Sequence, residues 1–205
     1  MDFERQLDTE RWQEVEPLDG LQEGIPEFAR MQEFREFAPS MEVQAEEIRE
    51  VFLDFPELQY NKWKELSLQE RVDVLGALEA EVAKIEMRDP ISVQHESTAL
   101  GLMGYFDRKE LRLVISDSLL VSDRKEDYVE VLDTLFHEGR HAYQNYNLNV
   151  TRTEASDELV RSWEVNYAEL GYASSSTQGF WRYYTQPVEV DARLFAETVV
   201  KKLDL

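Results

Sequence analysis

No cysteine occurs among the 205 residues, so the chain has no disulfide framework, no thiolate nucleophile and no cysteine-based zinc site. Histidine is scarce, with three in all, and any metal site must therefore be assembled from imidazoles and carboxylates. Positive charge is also short: 22 Lys+Arg face 43 Asp+Glu, a formal net charge of −21. That excess repels a phosphate backbone and argues against docking on anionic membranes, so neither nucleic acid nor membrane is expected as a partner. No stretch approaches the roughly 18 apolar residues that a bilayer span requires. The first residues, Met1-Asp2-Phe3-Glu4-Arg5, lack the basic and apolar regions of a secretory signal. These absences predict a soluble, acidic, cytoplasmic protein. The hydrophobic fraction of 42% and the length are enough for a buried core and exclude a wholly disordered chain.

Residues 1–60 differ from the rest, carrying 17 acidic residues against 5 arginines and no lysine. Apolar positions recur at helical intervals (Phe28, Met31, Phe34, then Ile48, Val51, Phe52, Phe55), while Pro17, Gly20, Gly24, Pro26, Pro39 and Pro56 break the segment. The pattern predicts an acidic arm over 1–60, helical or partly disordered, ahead of a main domain over 61–205. From Ser67 a firm helix is expected, with Leu68, Val72, Leu75, Leu78, Val82 and Ile85 on one face and Glu70 completing a capping box with Ser67. Short β segments come next at Ile91–Val93 and Leu100–Phe106. A turn at Asp107–Glu110 then leads to Leu111–Ser116, where Leu111, Leu113 and Ile115 alternate inward. Further helices are predicted at about Asp127–Tyr146, Ser156–Leu170 and from Pro187 to about Lys202, the last with Pro187 in the favoured first turn. The expected class is α+β, helix-rich, with a small sheet or hairpin.

The chemistry lies in Leu135-Phe136-His137-Glu138-Gly139-Arg140-His141. Four residues on a helix turn through 400°, so both imidazoles leave nearly one face and can grip one ion. Glu138 stands about 100° further round, beside that ion, where it can take a proton from a metal-bound water. Gly139 costs about 1 kcal/mol relative to Ala inside a helix, and its bare side would admit another chain or a ligand.

Two histidines hold zinc weakly, so a third ligand is required. Glu189, in the first turn of the last helix, is the leading source, because Ala192 and Ala196 one turn apart permit close packing against the histidine helix. A first-turn acid is also what a helix dipole favours by itself. Asp191 is a close competitor as ligand or outer partner, Glu158 and Glu164 are weaker ones, and His95 reads more as a strand-end histidine.

His137-Glu138-x-x-His141 with Glu189-x-x-Ala192-x-x-Phe195-Ala196 resembles the gluzincin kind of zincin metallopeptidase, most of all the ImmA/IrrE-type family, and zincin-like domains of toxin-associated proteins. The resemblance spans about residues 90–200 in organisation and the two motifs in residues; the long, helix-bearing connection from His141 to Glu189 departs from it. It implies a zincin-like fold with zinc held by His137, His141 and Glu189, and Glu138 as catalytic base. It further implies an oxyanion donor from Tyr184 or its neighbour Tyr183. The strand Leu111–Ser116 would serve as the edge along which a protein or peptide substrate extends. Asp133, one turn before His137, could orient that imidazole. The expected function is zinc-dependent hydrolysis of peptide bonds. The alternatives are a toxin- or effector-type zincin regulated by its N-terminal arm, and a catalytically silent zinc-binding scaffold.

Overall fold

The computed structural model describes residues 35–174 and 178–205. The chain divides into two units, Met1–Arg35 and Glu36–Leu205. The second unit opens with α1 (Met41–Leu53), a single 3-10 turn (Pro56–Leu58), α2 (Tyr60–Trp63) and α3 (Leu68–Ile85). Three strands come next, β1 (Ser92–Glu96), β2 (Gly104–Asp107) and β3 (Arg112–Ser116), then α4 (Asp117–Leu120) and the long α5 (Lys125–Asn149). The remainder is α6 (Asp157–Glu164), continued by a π-helical turn (Val165–Leu170), α7 (Phe180–Tyr184) and α8 (Pro187–Leu203). The architecture is α+β and helix-rich, as expected. Among the described residues no helix is long and apolar enough to cross a membrane.

The domain boundary differs from the one expected at residue 60. Residues 36–60 belong to the main unit, because Ala45, Ile48, Phe52 and Leu58 are buried in one core with Leu75 and Leu78 of α3, Leu132 and Phe136 of α5 and Phe195 and Val199 of α8. Burying a side chain of the Ile, Leu or Phe kind contributes about 1.5–3 kcal/mol, which outweighs the helix-breaking residues and the charge around it. The rest of the expected arm, with Phe28, Met31 and Phe34, lies outside the described residues.

Helix α3 begins where the sequence places it. Ser67 Oγ accepts from Glu70 N–H, and the Glu70 carboxylate accepts from Ser67 N–H at 2.7 Å, which satisfies two otherwise orphaned donors reciprocally.

The sheet has the order β1-β3-β2, with β1 parallel and β2 antiparallel to β3. Leu111–Ser116 is therefore the middle of the sheet and not its edge. Leu113, Val114 and Ile115 are all fully buried, so the expected alternation is lost because both sides of β3 are covered. Leu111 is exposed and closes the β2–β3 turn with φ 49°, a turn tied by the Asp107 carboxylate accepting from Lys109 N–H and Glu110 N–H. The two edges are β1 and β2, and β2 packs on α5 through Gly104. A Cβ there would stand 2.5 Å from Thr134 Cγ2 and 2.5 Å from Val114 O, so only glycine permits that approach.

Candidate metal centre

Helix α5 carries His137 and His141 one turn apart with ring centroids 4.9 Å from each other. Its buried stripe (Val131, Leu132, Leu135, Phe136) turns the opposite way, into the core, and leaves the imidazoles toward the N-terminal end of α8. That end is held by side chains: Val188 N–H donates to Asn166 Oδ1, and Gln186 bonds both backbone groups of Ala173 and the Asn166 amide. Pro187 at the first position loses no helical bond. Ala192 and Ala196 are fully buried, which lets α8 lie close to α5.

The result brings Glu189 onto the two histidines. Its Oε1 lies 3.2 Å from His141 Nε2 and its Oε2 3.3 Å from His137 Nε2. One ligand atom from each of the three residues lies within 4.8 Å of the others, a group that could hold a metal ion. Glu189 is wholly buried, and its Oε2 makes no hydrogen bond among the described residues, 3.3 Å from His137 being an ion-pair distance without hydrogen-bond alignment. An orphaned buried carboxylate oxygen costs more than the 1–3 kcal/mol or so of a neutral group. A cation between it and the imidazoles removes that cost, so the donor set fits a metal.

The electrostatics agree. Burial pushes the Glu189 carboxyl up, but the adjacent His137 and His141 imidazoles, with the Tyr172 hydroxyl, outweigh it and hold the group far below the usual carboxylate range. Burial pushes His141 down, yet Glu189 and Glu138 together raise it to about 9. The site thus favours positive charge at its imidazole end. Tyr172 donates to Glu189 Oε1 at 2.7 Å, and Tyr183 faces the same carboxylate. Burial, then Glu189, keeps both phenols protonated, so they remain donors.

Gln144, three residues after His141, fixes that imidazole. Its amide nitrogen donates to Asp191 Oδ2 (2.8 Å) and Val188 O (2.9 Å), so its Oε1 is the acceptor 2.9 Å from His141 Nδ1. The Nδ1 therefore donates to Gln144, which leaves Nε2, facing Glu189, as the atom that would ligate a metal in place of its proton. Asp191 accepts in turn two parallel bonds from the Nε and Nη2 of the buried Arg140, at 3.0 and 3.2 Å.

Glu138 is held by the sheet. Its Oε2 accepts from the Phe106 N–H of edge strand β2 at 2.9 Å. Glu138, His141 and Glu189 share a cavity of about 440 Å³ with Gly104, Phe106 and Arg108 of the β2 region and with Tyr167, Tyr172 and Tyr183.

The structure brings His137, Glu138, His141 and Glu189 together, and separates the other candidates. Asp191 is occupied by Arg140 and Gln144; Glu158 is exposed, and Glu164 is exposed and pairs with Arg161. His95 sits on β1 against Asp117 at 2.7 Å. Tyr184 does not line the cavity. It stacks on Phe180 (5.2 Å between centroids) under the Arg193 guanidinium, because adjacent residues on α7 face different ways; Tyr183 takes the inward position. Asp133 makes no hydrogen bond to His137 among the described residues; burial raises its carboxyl against the pull of that imidazole. The open side of Gly139 faces the Arg88 guanidinium, 3.6 Å from an ideal Cβ, and not a ligand. Gln144 was legible as His-x-x-Gln on one helix face; Tyr172, which comes after Gly171 in an irregular stretch, carries no sequence signal. Scans of protein families, of curated proteins and of solved structures find no match to this chain.

Proposed function

We propose that the protein is a zinc-dependent metallopeptidase of the zincin kind, with His137, His141 and Glu189 as ligands and Glu138 as general base. The observation that carries this reading is the convergence of Glu189, 48 positions beyond His141, on both imidazoles with an unpaired buried oxygen, while Glu138 faces the adjoining cavity.

Zinc bound there would polarise the scissile carbonyl and bring a bound water toward a pKa of about 7. Glu138 accepts the proton of the attacking water and returns it to the leaving amine, so that water adds across the C–N bond. The Phe106 N–H holds one oxygen of the carboxylate and leaves the other for that task. The substrate chain lies extended along β2, the edge strand that meets Glu138, and not along the middle strand β3. Tyr183, protonated and facing the cavity, is the better-placed oxyanion donor; Tyr172 is engaged with Glu189.

The test is metal content beside peptide hydrolysis. The wild type is expected to hold about one zinc per chain, lost in His137→Ala and Glu189→Ala. Glu138→Gln is expected to keep its zinc while hydrolysis falls about 10²–10⁴-fold. Zinc retained in Glu189→Ala would sink the ligand set, and a Glu138→Gln variant as active as wild type would sink the mechanism. A zinc-loaded wild type that cleaves nothing in a broad peptide library would leave the scaffold reading.

A further inference from the structure

Arg108 projects from the β2–β3 turn into the rim of the cavity that holds Glu138, His141 and Glu189. Its guanidinium lies 3.6 Å from the centroid of the Tyr167 ring. The Tyr167 hydroxyl reaches Gln144 Oε1 at 3.5 Å, the atom that accepts from His141, so a single tyrosine separates Arg108 from the support of a candidate ligand. Arg71, Arg88, Arg112 and Arg140 each pair with a carboxylate. Arg108 makes no hydrogen bond or ion pair among the described residues. In a chain with 43 acids to 22 bases, an arginine left without a carboxylate is held away from its neighbours, here by the ring beneath it. Stacking occupies only the face of the guanidinium; its five N–H donors form a planar fork, which matches a carboxylate. Among the described residues no other guanidinium or ammonium group lines the cavity, whose remaining walls include the apolar faces of Phe106, Tyr172 and Tyr183.

We propose that Arg108 is a specificity-determining residue that receives a carboxylate of the substrate, borne on an acidic side chain or at a free chain terminus, while the aromatic wall takes the apolar part. The inference rests on the peptidase reading. The net charge of −21 repels an acidic substrate at long range, and Arg108 offsets that repulsion locally, at the rim and apart from the imidazole end of the site.

The experiment titrates three peptides capped at the N-terminus by a zinc-binding hydroxamate onto the zinc-loaded protein by calorimetry, with zinc content measured on the same samples. One peptide is neutral and amidated, one is amidated with a glutamate side chain, and one is neutral with a free terminal carboxylate. At least one carboxylate-bearing peptide is expected to bind about tenfold or more tightly than the neutral amide, and which one gains identifies the source. Arg108→Ala is expected to erase the preference and Arg108→Lys, which keeps the charge without the fork, to retain part of it. Equal affinity for all three peptides, a preference that survives in Arg108→Ala, or no binding by a chain that holds its zinc would overturn the proposal. A chain that takes up no zinc overturns the metal reading instead, and the assignment of Arg108 falls with it.

Discussion

At the scale of single residues, the centre is decided by which side chain holds which. Gln144 is the clearest case: both amide protons are spent on Asp191 and Val188, which leaves its carbonyl to fix the His141 tautomer. Replacing it by leucine keeps the volume and removes the acceptor. Gln144→Leu is expected to weaken zinc binding about 10–100-fold, measured by competition with a chromogenic chelator. Unchanged affinity would show that packing alone orients the imidazole. The pair Tyr183 and Tyr184 shows the limit of a residue-level reading. Neighbours on a helix stand about 100° apart, so the sequence names the pair, and the rotation of α7 chooses the member that faces the cavity.

At the scale of elements, two close approaches build the cleft. Ala192 and Ala196 let α8 reach α5, and Gly104 lets the edge strand reach Thr134 on that same helix. The second contact has no slack, since a Cβ on residue 104 would meet the backbone carbonyl of Val114 at 2.5 Å. Gly104→Ala is expected to destabilise the protein by about 1–3 kcal/mol, seen as a lower urea midpoint. Hydrolysis should fall as well, because a displaced β2 no longer presents Phe106 N–H to Glu138. A variant with wild-type stability would mean that the strand shifts freely and that its packing does not set the cleft. The helices were legible from their periodicity and caps, to within a few residues at their ends: the expected Asp127–Tyr146 is Lys125–Asn149. Strand order was not. Hydrophobic alternation says which residues face inward, but the choice of middle strand depends on a parallel β1–β3 pairing that no local signal encodes.

At the scale of the whole molecule, a buried ionic node joins segments far apart in the chain. Arg140 on α5 bonds Asp191 on α8, Glu86 at the end of α3 and Gln44 on α1, all buried. Burial alone would lower the affinity of the guanidinium for its proton, but Asp191 and Glu86 more than offset it and raise that affinity well above the ordinary value. Arg140→Met removes one buried charge, leaving Asp191 held by Gln144 alone and Glu86 by Arg88 alone. The expected loss is about 3–5 kcal/mol of unfolding free energy, against less than about 0.5 kcal/mol for the control Arg124→Met, whose surface pairs are exposed. Similar unfolding curves for the two variants would show that the node adds nothing net. The node also explains why residues 36–60 are part of the main unit: Gln44 supplies one of its bonds, and Ile48 and Phe52 bury beside it on the same helix.

The acidic, cysteine-free character, the α+β class, the main helices and the two imidazoles with Glu138 between them could all be read from the amino-acid order, because these depend on composition or on the fixed 3.6-residue turn. The place of Glu189 among several candidate acids was readable only as a preference. It took the folded chain to settle that Glu189 and not Asp191 meets the histidines, that β3 is the middle strand and β2 an edge, and that Tyr172, Tyr183 and Arg108 line the cavity. The cause is the same in each instance. A helix or strand dictates relations between residues a few positions apart, whereas these contacts are set by how α5, α8 and the sheet pack, and packing is chosen by the sum of buried surfaces rather than by any local motif.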